Sequence, residues 1–309
     1  MPDEKKLGWI GTGRMGYEMA ARLGKAGYDV LAWNRTKAKA DPLTAYGVKV
    51  AKTLGELLDR DIVFTMVSTS DDLKEVLLDA GGLLDGAKAK PRIIVDCSSI
   101  SIEASAQMRA ALQSHGISFL ASPVSGNAKV IKAGKLSVVC SGPRVVFDEC
   151  QPYLLTFGVG GVSYVDDGEL ARIAKICHNV FLGVVTQSLA EITVLAQKAG
   201  LSRHAFLDFM NNSVMGSVFS RYKTPALVNL DFKVTFTPHL LRKDLDLGLD
   251  AGRKLEVPLP LASMTRDLIQ TQMGHGHTDQ DFSTLLLLQA KASGIELESE
   301  NVPVDDGLN

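Results

Sequence analysis

The chain has 309 residues, of which 46% are hydrophobic and 22% charged, and its formal net charge at pH 7 is −2. This length predicts one large domain or two ordinary domains, with enough apolar content for a sizeable core. The small net charge, without a basic tract, argues against nucleic acid and anionic membranes as partners. No uncharged apolar run reaches the roughly 20 residues that a membrane span needs.

The first predicted unit is a strand, a glycine-rich turn, a helix and a second strand. An apolar run at residues 7–10 leads into the sequence GTGRMG, a helical pattern follows to Gly27, and residues 28–33 form the second strand. In this context the spacing G-x-G-x-x-G predicts a dinucleotide-binding turn, although a glycine turn without a ligand is the alternative. We assign the whole turn to a cofactor site: Gly11, Thr12, Gly13, Arg14, Met15 and Gly16.

Each glycine of the turn has a distinct predicted task. Gly11 permits the tight turn, Gly13 lets the backbone approach a pyrophosphate, and Gly16 lets the helix and the strand pack closely. The positive N-terminal end of the helix then faces the phosphate charge.

The end of the second strand bears on which dinucleotide binds. NAD-preferring sites usually place a carboxylate there for the ribose 2′-hydroxyl, whereas this chain has Asn34, Arg35 and Thr36. We expect that no carboxylate is available to repel a 2′-phosphate, and Arg35 can pair with one. We therefore expect NADP(H) to be favoured, with NAD(H) possible. The alternative is that Arg35, Lys37 and Lys39 form a solvated loop.

Strand-like and helical patterns alternate up to residue 166, which predicts an α/β domain over residues 1–166. Further strands are expected at 61–67, 92–97, 117–121, 136–140 and 162–165, and helices at 54–58, 71–78, 102–115 and 145–157. Such alternation gives a Rossmann-like, doubly wound, mostly parallel sheet that binds its ligand at the carboxyl ends of the strands.

The second part of the chain is predicted to be all-α. One helical pattern runs over residues 169–198 without a proline, and residues 176–190 carry no formal charge. A helix that is apolar all round is buried, here as the spine of a helical domain over residues 167–296 or in a subunit interface. Residues 297–309 form an acidic, polar tail that we expect to be disordered. The remaining helices are expected at 204–211, 215–222, 239–255, 261–273 and 282–292.

The cysteines indicate a reducing compartment. Cys97, Cys140, Cys150 and Cys177 form no C-x-x-C pair and occur in apolar surroundings, which predicts reduced core residues. The first residues, Met-Pro-Asp-Glu-Lys-Lys, contain no apolar signal region. We therefore expect a cytoplasmic location.

Three groups of polar residues can carry chemistry. Ser125 and Gly126 follow a predicted strand, where a hydroxyl and backbone N–H groups can hold a carboxylate, although an ordinary turn is equally compatible. Lys175 and Asn179 lie four residues apart on the long helix and share one face. Burial there would favour a neutral lysine, as proton transfer requires, whereas a lysine at the helix edge is the alternative. Lys243, in the sequence KDL, is by itself typical of a solvated face.

Together these segments resemble the β-hydroxyacid dehydrogenase family over about residues 6–287. Two departures affect the substrate cleft and the hinge: Asn127 stands where many relatives have a second glycine, and Glu169 and Ala171 replace a Gly-x-Gly before the lysine. The segments that carry the resemblance occur in the order of the family: 11–16, 96–99, 123–126, 175–179, 243–245 and 274–282.

The resemblance implies hydride transfer at a carbon that bears a β-hydroxyl group. Lys175 would be the general acid/base, and Asn179 would hold the reacting oxygen or the lysine. Ser125 and Gly126 would hold the substrate carboxylate, and Lys243 would lie near both cofactor and substrate. Besides the glycine turn, the cofactor would contact Asn34, Arg35, Thr36, Val67, Ser68 and Ser99.

The resemblance also limits the other functions. We expect no metal, because the sequence His275-Gly276-His277 has no further ligand at a suitable spacing. The substrate would be a small carboxylate. Independently of the resemblance, the helix segment at residues 176–190 is too apolar to face water, which predicts a homodimer or tetramer. An imine reductase of the same fold, which usually lacks the catalytic lysine, and a non-catalytic nucleotide-binding relative are the alternatives. A decarboxylating 6-phosphogluconate dehydrogenase needs a longer helical domain than 309 residues can hold.

Overall fold

The computed structural model describes residues 5–308, so residues 1–4 and 309, which the predicted domains include, lie outside the described residues. The chain divides into two compact units, the first ending at Lys175 and the second beginning at Ile176. The predicted boundary at residues 166 and 167 therefore differs from the structural one. The reason is local: Ala171 belongs to the apolar core of the first unit, so the start of the long helix folds with that unit.

Six parallel strands form the main sheet of the first unit. They are β1 (Leu7–Ile10), β2 (Val30–Trp33), β3 (Lys49–Val50), β4 (Ile62–Thr65), β5 (Ile93–Asp96) and β6 (Ser118–Ala121). The spatial order is β3-β2-β1-β4-β5-β6, and every paired neighbour is parallel. The order reverses between β1 and β4, the switch point at which open α/β sheets bind ligands.

Both faces of this sheet are covered. Trp9 of β1 lies in one apolar cluster, where it stacks on Phe64 with 5.5 Å between ring centroids, and the next residue, Ile10, lies in the other cluster. Alternate residues of a strand point to opposite faces, so two clusters mean a doubly covered sheet. The helices are α1 (Arg14–Lys25), α2 (Ser70–Leu77), α3 (Ile102–Ser114), α4 (Ala128–Lys132) and α5 (Arg144–Phe157), with 3₁₀ turns at Lys37–Lys39, Asp41–Tyr46 and Leu54–Leu57.

A second, three-stranded sheet contains strands that the sequence interpretation placed in the first. The strands are β7 (Val124–Ser125), β8 (Ser137–Cys140) and β9 (Gly161–Tyr164), with β7 antiparallel and β9 parallel to β8. The bridge between Ala121 and Ser141 is antiparallel, so the chain after β8 runs against β6 and does not extend the parallel ladder.

The second unit is helical. The long helix α6 (Leu170–Lys198) enters it, and α7 (Arg203–Asn212), α8 (Val218–Asn229), α9 (Pro238–Lys254), α10 (Pro260–Gly274), a 3₁₀ turn (Phe282–Thr284) and α11 (Leu285–Ala292) follow. Helix α8 begins later than predicted because Ser217 and Ser220 form a capping box at its start. The core of the second unit includes Leu207, Leu241 and Ile269.

By length and composition alone, α6 could cross a membrane, but half of its most apolar window is buried inside the protein. Leu189, Ala190 and Val194 lie in the core of the second unit. The expectation of an all-round buried helix is only partly met, because Phe181 and Leu195 are about 70% exposed. We therefore describe α6 as a core helix with one exposed apolar side.

The tail is not the disordered segment expected from its composition. The Glu300 carboxylate accepts hydrogen bonds from the backbone N–H groups of Arg203 and His204, at 2.7 and 2.9 Å. Asn229 and Val302 exchange two more, at 2.8 and 3.2 Å. The acidic side chain at residue 300 thus caps the N-terminus of α7, where negative charge is favoured.

Candidate active site

The glycine turn between β1 and α1 requires glycine at two positions. Gly11 has φ of +94°, and a Cβ there would lie 2.3 Å from the Met66 carbonyl oxygen. A Cβ on Gly16 would lie 2.0 Å from the carbonyl oxygen of Gly11. No larger residue fits either position without moving the backbone, so the turn and the start of α1 hold each other closely.

The same turn fits a dinucleotide phosphate. A Cβ on Gly13 would meet nothing within 4 Å, so this position is open on the side from which a ligand approaches. The Thr12 hydroxyl is buried and has no hydrogen-bond partner among residues 5–308. Helix α1 begins here with no side-chain cap and no acidic residue in its first turn. An anion would use both the free helix N–H groups and the hydroxyl.

Asn34 joins the glycine turn to the loop after β2. Its side-chain oxygen accepts from the Thr12 N–H at 2.9 Å, and its amide donates to the Thr36 carbonyl, also at 2.9 Å. Arg35 between them is largely exposed. The predicted cofactor residues Thr12, Asn34 and Thr36 therefore lie together.

Two carboxylates that the sequence interpretation did not foresee lie beside Arg35. Its guanidinium is 4.0 Å from Asp72 and 3.6 Å from Glu75, both on α2. The statement that no carboxylate is available holds for residues 34–36 but is wrong for the folded loop, because α2 brings acidic residues from almost 40 positions further along the chain. Arg35 therefore has competing partners for any 2′-phosphate.

A buried carboxylate organises the loops after β4 and β5. Asp96 is fully buried, and one of its oxygens accepts hydrogen bonds from the hydroxyls of Thr65 and Ser98, both at 2.7 Å. The Ser98 oxygen in turn accepts from the Val67 N–H at 2.9 Å. This cluster fixes the loops that contain the predicted cofactor residues Val67, Ser68 and Ser99.

Arg172 completes this cluster, and the sequence interpretation gave it no role. It is almost fully buried and pairs with the second Asp96 oxygen at 2.6 Å. The signal for it was its position three residues before Lys175, within the part of α6 that folds with the first unit. Its partner, 76 residues away in sequence, gave no such signal.

The predicted carboxylate-binding residues lie in and just after β7. Ser125 is half-buried. Gly126 has φ of +141°, and a Cβ at this position would lie 2.7 Å from the Val130 side chain. Asn127 accepts from the Val130 N–H at 3.1 Å and caps α4. Asn127, which stands where many relatives have a second glycine, therefore caps a helix. The backbone still requires glycine at position 126.

Lys175 is half-buried on α6, one helical turn before Asn179. In the second unit Asn179 is buried, and its amide donates to a carboxylate oxygen of Asp244 at 2.6 Å. The ring nitrogen Nδ1 of His178 lies 2.9 Å from the other amide atom, Oδ1. The Asn179 side chain is thus held from two directions.

Asp244 is not the solvated residue that the sequence KDL predicted. It is 3% exposed, and its other oxygen lies 3.3 Å from the Lys243 ammonium. The structure therefore connects Asn179, Asp244 and Lys243 in one polar group. The signal was available, because Asp244 falls in the buried stripe of α9 with Leu241, Leu245 and Gly248.

The cysteines differ from one another. Cys97, Cys140 and Cys150 are buried, and burial raises the pKa of each thiol, to about 11 for Cys140, so they stay protonated. Cys177 is exposed, which corrects its assignment to the core, because it lies on the outer side of α6. Among residues 5–308 no group of three potential metal ligands occurs.

The fold and this site define a nicotinamide-dinucleotide-binding protein with a helical second unit. The family model described as the NAD binding domain of 6-phosphogluconate dehydrogenase matches residues 6–166. The model for the NAD-binding region of NADP-dependent 3-hydroxyisobutyrate dehydrogenase matches residues 170–288. The chain belongs to the β-hydroxyacid dehydrogenase family, which confirms the resemblance seen in the sequence.

Individual relatives agree. The chain is 30% identical to 2-(hydroxymethyl)glutarate dehydrogenase of Eubacterium barkeri, over 94% of this chain and 97% of the relative. It is 29% identical, over 92% of its length, to the cytokine-like nuclear factor N-PAC of Xenopus tropicalis, and it spans only about half of that relative. A crystal structure of 3-hydroxyisobutyrate dehydrogenase from Salmonella typhimurium has a TM-score of 0.83 at 25% identity, covering 92% of this chain and 99% of that one.

Proposed function

We propose that the protein is an oxidoreductase that transfers a hydride between NADP(H), or NAD(H), and a small β-hydroxy acid or the corresponding semialdehyde. One observation carries the proposal: Lys175 precedes, by one helical turn, an amide that a buried carboxylate fixes in place. Burying a carboxylate and an amide among helices is costly unless both are paired, and here they pair with each other, so the amide has a fixed position one helical turn from Lys175. The family and the relatives named as dehydrogenases support a catalytic role for this arrangement.

Each residue has one role in this proposal. A nicotinamide cofactor held at the glycine turn of residues 11–16 would supply the hydride in reduction and accept it in oxidation. Lys175 donates a proton from Nζ to the carbonyl oxygen in reduction and removes it from the hydroxyl in oxidation. Asn179 has given one amide hydrogen to Asp244 and donates the other to the reacting oxygen, or else accepts from the lysine through its Oδ1.

The substrate carboxylate is the second point of recognition. Ser125 offers its hydroxyl and Gly126 its backbone N–H to the carboxylate, and by the family resemblance Lys243 is the expected source of further positive charge. The Asp244 carboxylate beside Lys243 keeps that charge from being isolated in a partly buried position. These contacts favour small acids over neutral alcohols.

NADP(H) is the favoured cofactor in this proposal. Arg35 is exposed next to the cofactor loop that Asn34 fixes, and its guanidinium suits a 2′-phosphate. Asp72 and Glu75 reduce the preference, since they compete for the same guanidinium. NAD(H) therefore remains a usable cofactor.

A substrate panel tests the proposal. Purified protein is mixed with NADPH or NADH and with small semialdehydes, or with the oxidised cofactors and hydroxy acids, and absorbance of the reduced cofactor is followed. We expect turnover of acids that carry a β-hydroxyl group. Turnover of cyclic imines alone would favour an imine reductase. Tight cofactor binding without any turnover would favour a non-catalytic nucleotide-binding relative.

We also infer a homodimer or tetramer located in the cytoplasm, with neither nucleic acid nor a membrane as partner. The small net charge supports the last two points. For the assembly, the support is the set of large apolar side chains exposed in the second unit, which association would cover. They are Phe181, Leu195, Phe209, Val214 and Met215. A solution mass of a single 33.2 kDa chain at micromolar concentration would contradict the oligomer.

A further inference from the structure

Two ion pairs anchor the beginning of α6 to the first unit. Glu169, just before the helix, accepts from Arg109 Nε at 2.7 Å. Arg172, in the first turn, pairs with Asp96 at 2.6 Å. Both guanidinium groups lie over the Phe119 ring, 5.3 and 5.9 Å from its centroid. The two pairs are therefore similar in chemistry and in the helix end that they hold.

Arg172 binds acceptors in three different segments. Besides the Asp96 carboxylate, it donates to the Ser98 carbonyl oxygen at 2.7 Å and to the Ser105 hydroxyl at 3.0 Å. A guanidinium holds its donors in a fixed plane, so three acceptors define both its position and its orientation. A lysine ammonium cannot reproduce these three contacts, because its donors all leave one nitrogen, whereas the contacts of Arg172 use three.

The other side of Asp96 reaches the cofactor loops. Its first oxygen is held by Thr65 and Ser98, and Ser98 is held by the Val67 N–H. One continuous set of hydrogen bonds thus connects the end of β4, the end of β5 and the first turn of α6. The hydrogen bonds of Arg109, besides that to Glu169, lead elsewhere, to the carbonyl oxygens of Phe119 and Gly168.

We propose that Arg172 and Asp96 form a positioning pair that fixes Lys175 relative to the cofactor loops at residues 67–68 and 98–99. The inference rests on the proposed function, because it takes Lys175 as the acid/base. Arg172 precedes Lys175 by three residues, so the two side chains leave the helix on neighbouring positions of one face. A displacement of about 1 Å at a reacting group can lower a rate by about 100-fold.

The test compares two matched double variants. Arg172→Gln with Asp96→Asn removes the positioning pair without leaving a buried charge, and Arg109→Gln with Glu169→Gln removes the other pair at the same helix end. Single-turnover hydride transfer and the NADPH dissociation constant are measured for both. We expect the first variant to lose about 10- to 100-fold in rate, with a smaller change in NADPH affinity. The second should keep its rate within about twofold.

A background variant separates positioning from general damage. In a Lys175→Ala protein, removal of the Arg172–Asp96 pair should lower the rate no further, because the group it positions is gone. An equal loss in both backgrounds, or an equal loss in the Arg109–Glu169 variant, would overturn the inference. A wild-type rate for Lys175→Ala alone would instead overturn the proposed function, and this inference with it.

If the double variant does not fold, Arg172→Lys keeps the buried positive charge and serves in its place. It should lose about 3- to 10-fold in rate, since the three donors of an ammonium leave one nitrogen and do not reproduce the planar guanidinium, which uses three nitrogens here. Full wild-type activity of this variant would show that orientation by Arg172 is unnecessary and would overturn the inference.

Discussion

Each unit of the protein buries an ion pair, and the two pairs have different surroundings. In the first unit Arg172 and Asp96 are 1% and 0% exposed, and in the second Lys223 and Asp281 are 4% and 1% exposed. In each pair the nitrogen and the carboxylate oxygen are 2.6 Å apart. Burying such a pair costs hydration that the attraction only just repays, so each needs further hydrogen bonds.

The bonds around Lys223 and Asp281 are local to one corner of the second unit. Lys223 donates to the Thr235 hydroxyl and lies 4.2 Å from the centroid of the Phe282 ring. Asp281 also accepts from the N–H groups of Thr235 and Phe236. The pair joins α8 to the loop after α10, and both members bind Thr235 of the loop before α9, so these bonds hold parts of the second unit together.

The comparison shows that burial and charge do not by themselves distinguish a functional pair from a structural one. What differs is where the remaining hydrogen bonds lead: from Asp96 they lead to the loops of the cofactor site, and from Asp281 to a loop of the helical core. Variants of the two pairs should therefore affect different measurements.

The largest effect on stability is expected from Lys223→Met. It leaves the Asp281 carboxylate buried without its cation, and the free energy of unfolding should fall by about 3–5 kcal/mol. Urea denaturation measures the fall, and Lys233→Met, at an exposed position of the same region, is the control that should change it by less than about 0.5 kcal/mol. A loss of kcat in folded Lys223→Met protein would break the comparison between the pairs.

Removal of an exposed charge in the first unit should change cofactor choice and leave stability alone. Arg35→Ala should weaken binding of NADP(H), but not of NAD(H), by about 1.5–3 kcal/mol, the usual range for a hydrogen bond to a charged group. The ratio of kcat/KM for the two cofactors measures this. Equal losses with both cofactors would show that Arg35 does not recognise the 2′-phosphate.

Acid should weaken the Asp281 pair. Burial alone would raise the pKa of Asp281, but the Lys223 ammonium and hydrogen bonds from Lys223, Thr235 and Ser283 outweigh it and lower the pKa below 3.8. The stabilisation is therefore complete above about pH 3.8 and is lost as the pH falls through the folded-state value. The difference in unfolding free energy between wild type and Asp281→Asn should shrink in that range; a constant difference would contradict the lowered pKa.

The smallest effect is expected from Glu75→Gln. It removes a carboxylate that competes for Arg35, so affinity for NADP(H) should rise by about 0.2–1 kcal/mol, the usual size of an exposed pair. Direct titration with NADPH measures it. An unchanged affinity would mean that Arg35 leaves Glu75 at no measurable cost when the cofactor binds.

The sequence predicted what depends on neighbouring residues. The apolar run, the glycine spacing and the helical periodicity around Gly11 to Lys25 gave the first strand, turn and helix, and the uncharged stretch gave α6. Asp244 could also have been recognised, because it interrupts an apolar stripe in α9. The local pattern is sufficient to predict an element whose contacts are between residues close in sequence.

What the sequence missed depends on contacts between distant segments. The partner of Arg172 is 76 residues away, and Glu300 caps a helix that begins almost 100 residues earlier. The second sheet and the carboxylates beside Arg35 have the same origin. The hydrophobic periodicity and residue spacing of one segment do not show which charged residues of distant segments meet in the fold. These features could therefore be identified only in the structure.

The central claim is that Lys175 transfers the proton. The most direct measurement is single-turnover hydride transfer by Lys175→Ala and Lys175→Arg, with NADPH affinity measured in parallel. We predict a rate lower by about 10²- to 10⁴-fold in both variants and a nearly unchanged NADPH dissociation constant, because a guanidinium cannot give up its proton near neutral pH. A near wild-type rate in Lys175→Ala would contradict the account and direct attention to Lys243 and His178.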